Sequence, residues 1–191
     1  MAPEKDMVIT VMSRDRVGIV ADVTRAVHSL SGNISSISQT VLSTYFTIIL
    51  IVHFPGRVKE DEVKEAVRSA GGEDELEVSV KLYSPGAPEG PPERCDSFVL
   101  SIMGPDKPGI ISRISGFLAG QGINIEDLYA YVEDKRFVFI GQLMVPCSMD
   151  AGRLKKELEA LLDKKGMAVH LQHENIFLAT QRPDFRVGGP Q

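Results

Sequence analysis

The chain is written twice. The stretch from Ser13 to Ile37, SRDRVGIVADVTRAVHSLSGNISSI, and the stretch from Gly104 to Leu128, GPDKPGIISRISGFLAGQGINIEDL, share one layout at a separation of 91 residues. At that offset Asp15 meets Asp106, Gly18 meets Gly109, Ile19 meets Ile110, Asn33 meets Asn124 and Ile34 meets Ile125. An internal repeat of this length divides the 191 residues into two units of about 80 to 90 residues each. A unit that small buries only about 60% of its unfolded surface, so each half is expected to need a partner surface.

Hydrophobic period sets the elements within each copy. Met7 to Ser13 alternates and is β-branched, which predicts a strand. Apolar residues then fall at Ile19, Val20, Val23, Val27 and Leu30, and in the second copy at Ile110, Ile111, Ile114, Phe117 and Leu118. That is one face of a helix. Glycines follow (Gly32; Gly120 and Gly122), where left-handed C-terminal caps are expected. Strand pairs come next: Ile34 to Leu42 with Tyr45 to His53, and Ile125 to Glu133 with Phe137 to Val145. The long apolar strands of these pairs should be central. Amphipathic helices are predicted at about Lys59 to Ala70 and Ala151 to Lys164, and closing strands at Leu76 to Leu82 and Met167 to Gln172. Each half therefore reads βαββαβ. The simplest fold for that order is α+β and ferredoxin-like, an antiparallel four-stranded sheet with both helices on one face.

The first domain is expected over residues 1–83 and the second over 96–175. Between them, Ser84 to Cys95 carries four prolines. Such a spacer is semi-rigid at roughly 3 Å per residue and can cross about 30 Å. Residues 176–191 are expected to form a loose arm.

Lysine and arginine number 21 against 26 acidic residues, with a pI near 5.4. Without a basic patch, unassisted nucleic-acid binding is not expected. The start, MAPEKDMVITVM, has no basic segment leading into a long apolar core, and the longest apolar run, Ile48 to Val52, is too short to span a bilayer. A soluble cytoplasmic protein is expected. Cys95 and Cys147 lack CxxC spacing, which excludes a structural zinc site unless histidines help. Two reduced thiols are expected. Adjacent strands would place them at one end of the sheet, so a conditional disulfide stays open.

A strand that ends in Asp-Lys-Pro-Gly and opens a helix gathers free backbone N–H groups and the positive end of the helix dipole at one point. Glycine lets a ligand approach the backbone, and proline suits the first helical turn. A carboxylate would fit there. The bland alternative is a good connection, with Asp15 or Asp106 capping the helix. Recurrence of the turn with the same downstream Asn-Ile favours a site.

The pattern of strand, D-x-[PV]-G-I, helix, G-x-N-I or G-N-I, and strand, in a βαββαβ unit, resembles the ACT domain over nearly the whole chain. The tandem arrangement, with DRVGIVADVTRAV in the first copy, resembles the glycine cleavage system transcriptional repressors. This resemblance implies small-molecule regulation, commonly by amino acids, with ligand held between paired ACT domains. Carried over by position, the ligand-binding residues are Asp15, Arg16, Val17, Gly18 and Ile19, then Asp106, Lys107, Pro108, Gly109 and Ile110. Asn33 and Asn124, with Ile34 and Ile125, open the second strands. The first copy has Val17 where proline is usual, so the second is the closer match. Turn and asparagine lie at opposite ends of a sheet, a helix length apart. One ligand touches both only if the asparagine comes from a partner domain lying antiparallel alongside. The expected ligand is a small amino acid such as glycine or serine, the expected assembly a homodimer, and no cofactor or metal is expected.

Catalysis finds no support in the sequence. His28 falls in a helix, His53 ends a strand, and His170 and His173 lie on opposite faces of another. No zincin motif, nucleophile elbow or phosphate loop occurs. ACT domains also occur attached to formyltetrahydrofolate deformylase, whose regulatory segment resembles the first half, but a catalytic domain is not expected among these 191 residues. An RNA-recognition module shares the βαββαβ order, but Phe137 and Phe139 alone, in an acidic chain, read as packing. The rival reading is a pure protein-interaction module, or a regulatory subunit acting in trans on a metabolic enzyme, without a ligand of its own.

Overall fold

In the computed structural model, which describes residues 5–72, 76–84, 94–162 and 166–181, strand β1 (Lys5–Arg14) buries Met7, Ile9, Val11 and Ser13 and turns the alternate residues away. The period of two seen in the sequence is thus the pleat of a strand with one covered face. Helix α1 (Ile19–Ser29) buries Ile19, Val23, Ala26 and Val27. Strands β2 (Asn33–Leu42) and β3 (Tyr45–Phe54), helix α2 (Glu60–Ser69) and strand β4 (Glu77–Leu82) complete the first half. The second half repeats it with β5 (Cys95–Pro105), α3 (Ile110–Gly120), β6 (Asn124–Glu133), β7 (Arg136–Pro146), α4 (Ala151–Leu162) and β8 (Ala168–His173).

The sheets run β2-β3-β1-β4 and β6-β7-β5-β8, with antiparallel neighbours throughout. The apolar strands β3 and β7 are internal, as expected of chains buried on both sides by hydrogen-bonded neighbours. Each sheet closes its own core, and the chain divides into two compact units accordingly.

The expected left-handed glycine cap is correct in the second half and displaced in the first. Gly122 has φ +71°, but its counterpart by the repeat is Ser31, at φ +59°. Around it the N–H of Ser31 donates to the His28 carbonyl and that of Gly32 to the Val27 carbonyl, a Schellman pair. Gly32 is required for a different reason. A Cβ there would stand 2.6 Å from Phe54, 2.8 Å from Val27 and 2.9 Å from Val52.

Both edge strands carry an irregularity at the same place, between Ile34 and Ser36 in β2 and between Ile125 and Asp127 in β6. In the first, the Ser35 hydroxyl donates to the Ile51 carbonyl at 3.1 Å.

Helix α5 (Glu174–Gln181) is the departure from the expected fold. The segment expected to be a loose arm from residue 176 begins as a helix, and it packs on β5 and β8. Phe177 shares a hollow with Val99, Tyr129 and Ile140, which point away from α3 and α4. Glu174 Oε1 accepts from Gln142 Nε2 at 3.2 Å, and the same amide donates to Ser97 Oγ at 3.2 Å. The two helices of each repeat share one face, and α5 takes the other. Cys95, placed at the end of the spacer by the sequence reading, already begins β5. Residues 85–93 of that spacer, 163–164 of the predicted fourth helix and 182–191 of the arm lie outside the described residues.

Candidate functional site

The repeated turn closes the same end of each sheet. Arg14 pairs with Tyr45 and Pro105 with Arg136, the last pairs before the chain leaves the strand. The backbone N–H of Asp15 then donates to the Thr44 carbonyl at 2.8 Å, and that of Asp106 to the Lys135 carbonyl at 3.2 Å. These bonds pin the start of each turn to the neighbouring hairpin. Asp134 and Lys135, both at positive φ, supply the tight left-handed bend of that hairpin in the second half.

Gly18 (φ 95°, ψ −7°) and Gly109 (φ 81°, ψ 7°) precede the helices in the left-handed region. That conformation is what glycine allows without steric cost. Two expectations are corrected here. No side chain caps α1 or α3, so Asp15 and Asp106 are not helix caps. Pro108 stands before the cap residue Gly109 and is outside the first helical turn. Its counterpart Val17 is fully exposed.

Beside each turn lies a cleft, because the helix layer stops short of the edge strand. The helix-facing residues of β2 are Ile37, Gln39 and Val41, paired with Leu50, Ile48 and Phe46, and all three are exposed. Those of β6 are Leu128, Ala130 and Val132, paired with Gly141, Phe139 and Phe137. The first cleft, of about 510 Å³, is lined by Asp15, Arg16, Gly18, Ile19, Val20, Ala21, Thr24, Gln39 and Phe46. The second, of about 280 Å³, is lined by Asp106, Lys107, Pro108, Gly109, Ile110, Ile111, Ser112, Ala130, Tyr131, Val132 and Phe137. Of the residues expected to bind ligand, the turn residues gather there, apart from Val17 in the first copy.

Asn33, Ile34, Asn124 and Ile125 do not join them. Asn33 pairs with His53 and Asn124 with Met144, at the far end of each sheet. Eight residue steps along β3 separate Tyr45 from His53, which is roughly 27 Å. Asn33 and Asn124 open strands and are not among the residues at positive φ, so left-handed backbone does not account for asparagine there.

The electrostatics of the two turns differ. Arg16 Nη1 lies 2.9 Å from Asp22 Oδ2 and its Nη2 donates to the Gly71 carbonyl at 3.3 Å. Arg25 reaches the other Asp22 oxygen at 3.1 Å. The hydrogen bond from Arg16 is the main cause that holds the Asp22 carboxyl below the usual range, with Arg25 adding to it. At the repeat offset Arg16, Asp22 and Arg25 become Lys107, Arg113 and Gly116. Arg113 donates instead to the Leu161 carbonyl at 3.3 Å. The sequence reading missed Asp22, Thr24, Gln39, Phe46 and their counterparts. Extending the offset of 91 from the turn to β2 and β3 points to Gln39 and Phe46 as the positions matching Ala130 and Phe137, while Asp22 and Thr24 lie in α1 and have no such signal.

Cys95 and Cys147 are not joined in a disulfide. Cys95 pairs with Pro146, so the two do sit at one end of neighbouring strands. Partial desolvation, helped by the charge and hydrogen bond of Asp96, pushes the Cys147 thiol above its ordinary value. Among the described residues no group of three or more His, Cys, Asp or Glu side chains could hold a metal ion. No described helix is long and apolar enough to cross a membrane.

Known proteins resemble this chain in sequence and in fold. A UPF0237 protein of Methanopyrus kandleri is 33% identical over 87 residues, which is 44% of this chain and 94% of that protein. A UPF0237 protein of Methanocaldococcus jannaschii is 39% identical over 82 residues, 41% of this chain and 89% of that protein. Both relatives are thus single copies of the repeat. Among solved structures, a protein of unknown function from Galdieria sulphuraria superimposes with a TM-score of 0.73 at 22% identity, over 90% of this chain and 99% of its own. A candidate glycine cleavage system transcriptional repressor superimposes with a TM-score of 0.67 at 19% identity, over 91% of this chain and all of its own. These two show a shared fold of matching length. The ACT domain pattern matches twice, over residues 5–81 and 96–172. The chain therefore belongs to the ACT domain family, as two such domains in tandem.

Proposed function

We propose that the chain is an amino-acid sensor that passes the signal on by domain pairing and protein–protein contact and has no catalytic step of its own. The amino acid's carboxylate lies at the glycine turn, where uncapped backbone N–H groups and the helix dipole favour an anion. Its ammonium group meets Asn33 or Asn124 of a second copy lying antiparallel alongside. The observation that carries this reading is the open row on each edge strand. Ile37, Gln39 and Val41, like Leu128 and Val132 on either side of the half-buried Ala130, face the helix layer and are left uncovered by it. A neighbouring domain placed along that row would cover the apolar residues and bring its asparagine end to the turn.

For the first cleft we propose glycine or serine as ligand, since Thr24 and Gln39 offer polar partners to a small side chain. Thermal denaturation in the presence of each common amino acid tests the reading. At 100 times its dissociation constant a ligand contributes about 2.7 kcal/mol. For a chain of this size the melting temperature should rise by about 5 to 10 °C. No rise with any amino acid at millimolar levels overturns the sensor and leaves a regulatory subunit that acts through the open edge alone.

A further inference from the structure

The two clefts share most of their lining positions at the repeat offset, and this makes their differences interpretable. Ile19 and Phe46 of the first are matched by Ile110 and Phe137 of the second, so the inner wall is the same. The rest of the lining changes character. Where the first cleft has Val20, Ala21 and Gln39, the second has Ile111, Ser112 and Ala130; it lacks a counterpart of Thr24 and gains Pro108, Tyr131 and Val132 as walls. Gln39 and Ala130 occupy equivalent positions on the helix-facing side of the edge strand, paired with Ile48 and Phe139. The polar amide on the floor of one cleft is a methyl group in the other.

A side-chain amide beside a ligand must be hydrogen-bonded or lose its water at a cost, whereas an alanine floor accepts apolar groups without that penalty. An apolar cleft with polar groups only at one end is also the common form of a small-molecule site. In the second cleft the polar end is the turn, which would hold the backbone carboxylate of an amino acid, and the apolar remainder is left for its side chain. We infer that the two clefts are tuned to different amino acids by their lining and not by their volume, the second being the smaller: the second takes one with a branched aliphatic or aromatic side chain, the first takes a small polar one, and position 130 with its counterpart Gln39 sets the choice. This rests on the amino-acid-sensing reading above and divides that reading between two sites.

Calorimetric titration of the full chain with leucine, phenylalanine, serine and glycine, on wild type, Ala130→Gln and Gln39→Ala, tests it. Leucine or phenylalanine should bind wild type, and Ala130→Gln should weaken that binding by about tenfold to a hundredfold while serine is unaffected. Gln39→Ala should weaken serine and leave leucine unchanged. The first half carries glutamine at the equivalent position, which is more exposed than Ala130. If Ala130→Gln melts early, Ala130→Ser makes the same test with a smaller loss. Serine or glycine binding without any apolar amino acid, or leucine binding that ignores position 130, overturns the division of specificity and leaves sensing intact. Binding of none of the four, with no thermal shift from any other amino acid, overturns both.

Discussion

Gly18, Gly109, Asn33 and Asn124 were legible in the sequence because each recurs at a fixed offset, and the structure gives the glycines a backbone reason. The asparagines have no such reason: they sit in extended strand, where many residues serve as well. Their purpose in the proposed site is an amide offered to a ligand across a dimer. Asn124→Ala should therefore lower ligand affinity by about tenfold to more than a hundredfold, the loss of a hydrogen bond to a charged group. Stability should barely change, and calorimetry beside a melting curve checks both. Equal affinity would return Asn124 to a strand-opening role. Asp22 was not legible as a partner of Arg16, because an i, i+6 pair across a turn has no periodic signature. Cys147 carries a different expectation. Its raised thiol value leaves less thiolate near neutral pH, since desolvation and Asp96 both disfavour the anion. Alkylation by iodoacetamide at pH 8 should be slower than that of a small-molecule thiol and should accelerate as pH rises. Asp96→Asn should speed it, and identical rates in the two proteins would count against the assigned cause.

At the scale of elements, the period-2 and period-3.6 patterns carried most of the fold, since each strand and helix buries one face of its own. The first-half helix terminus was misread because glycine was taken as evidence of left-handed backbone. Ser31 takes that conformation, and Gly32 instead clears Phe54, Val27 and Val52. Gly32→Ala is expected to cost about 1 to 3 kcal/mol through overpacking, measured by urea denaturation of wild type and variant. A loss within experimental error would show that α1 can move off the sheet. Helix α5 escaped notice for another reason. Its eight residues, ENIFLATQ, are short for an independent helix, and its packing depends on the outer face of β5 and β8. Nothing local in the sequence announces that face as a platform.

The two units each have a small core, and each leaves part of its edge strand uncovered. Ile37 is 50% exposed and Val41 41% exposed, while Leu128 and Val132 stand at 38% and 54%. Apolar rows at equivalent places in both halves are the strongest reason to expect a homodimer. Sedimentation velocity at micromolar concentration should give a dimer, and Val41→Lys together with Val132→Lys should shift it to monomer with little change in secondary structure. A wild-type monomer at all concentrations would remove the partner domain from the proposed site. The number of domains was legible from the repeat, and their topology from the βαββαβ order that the hydrophobic periods set. The clefts were not, because they depend on how far the helix layer reaches, which no local pattern encodes.

An edge that must stay open for one neighbour is open to any neighbour, and a flat strand with an apolar row is a template on which copies could stack without end. The irregularities at Ser35 and Glu126 bear on that hazard. A bulge twists the strand and breaks its hydrogen-bonding register near the asparagine end. A copy adding flat and in register would forfeit bonds there, while one docking beyond the bulge would not. The same small irregularity in both halves thus favours an assembly that terminates over one that polymerises, and its removal should show first as turbidity in concentrated solution.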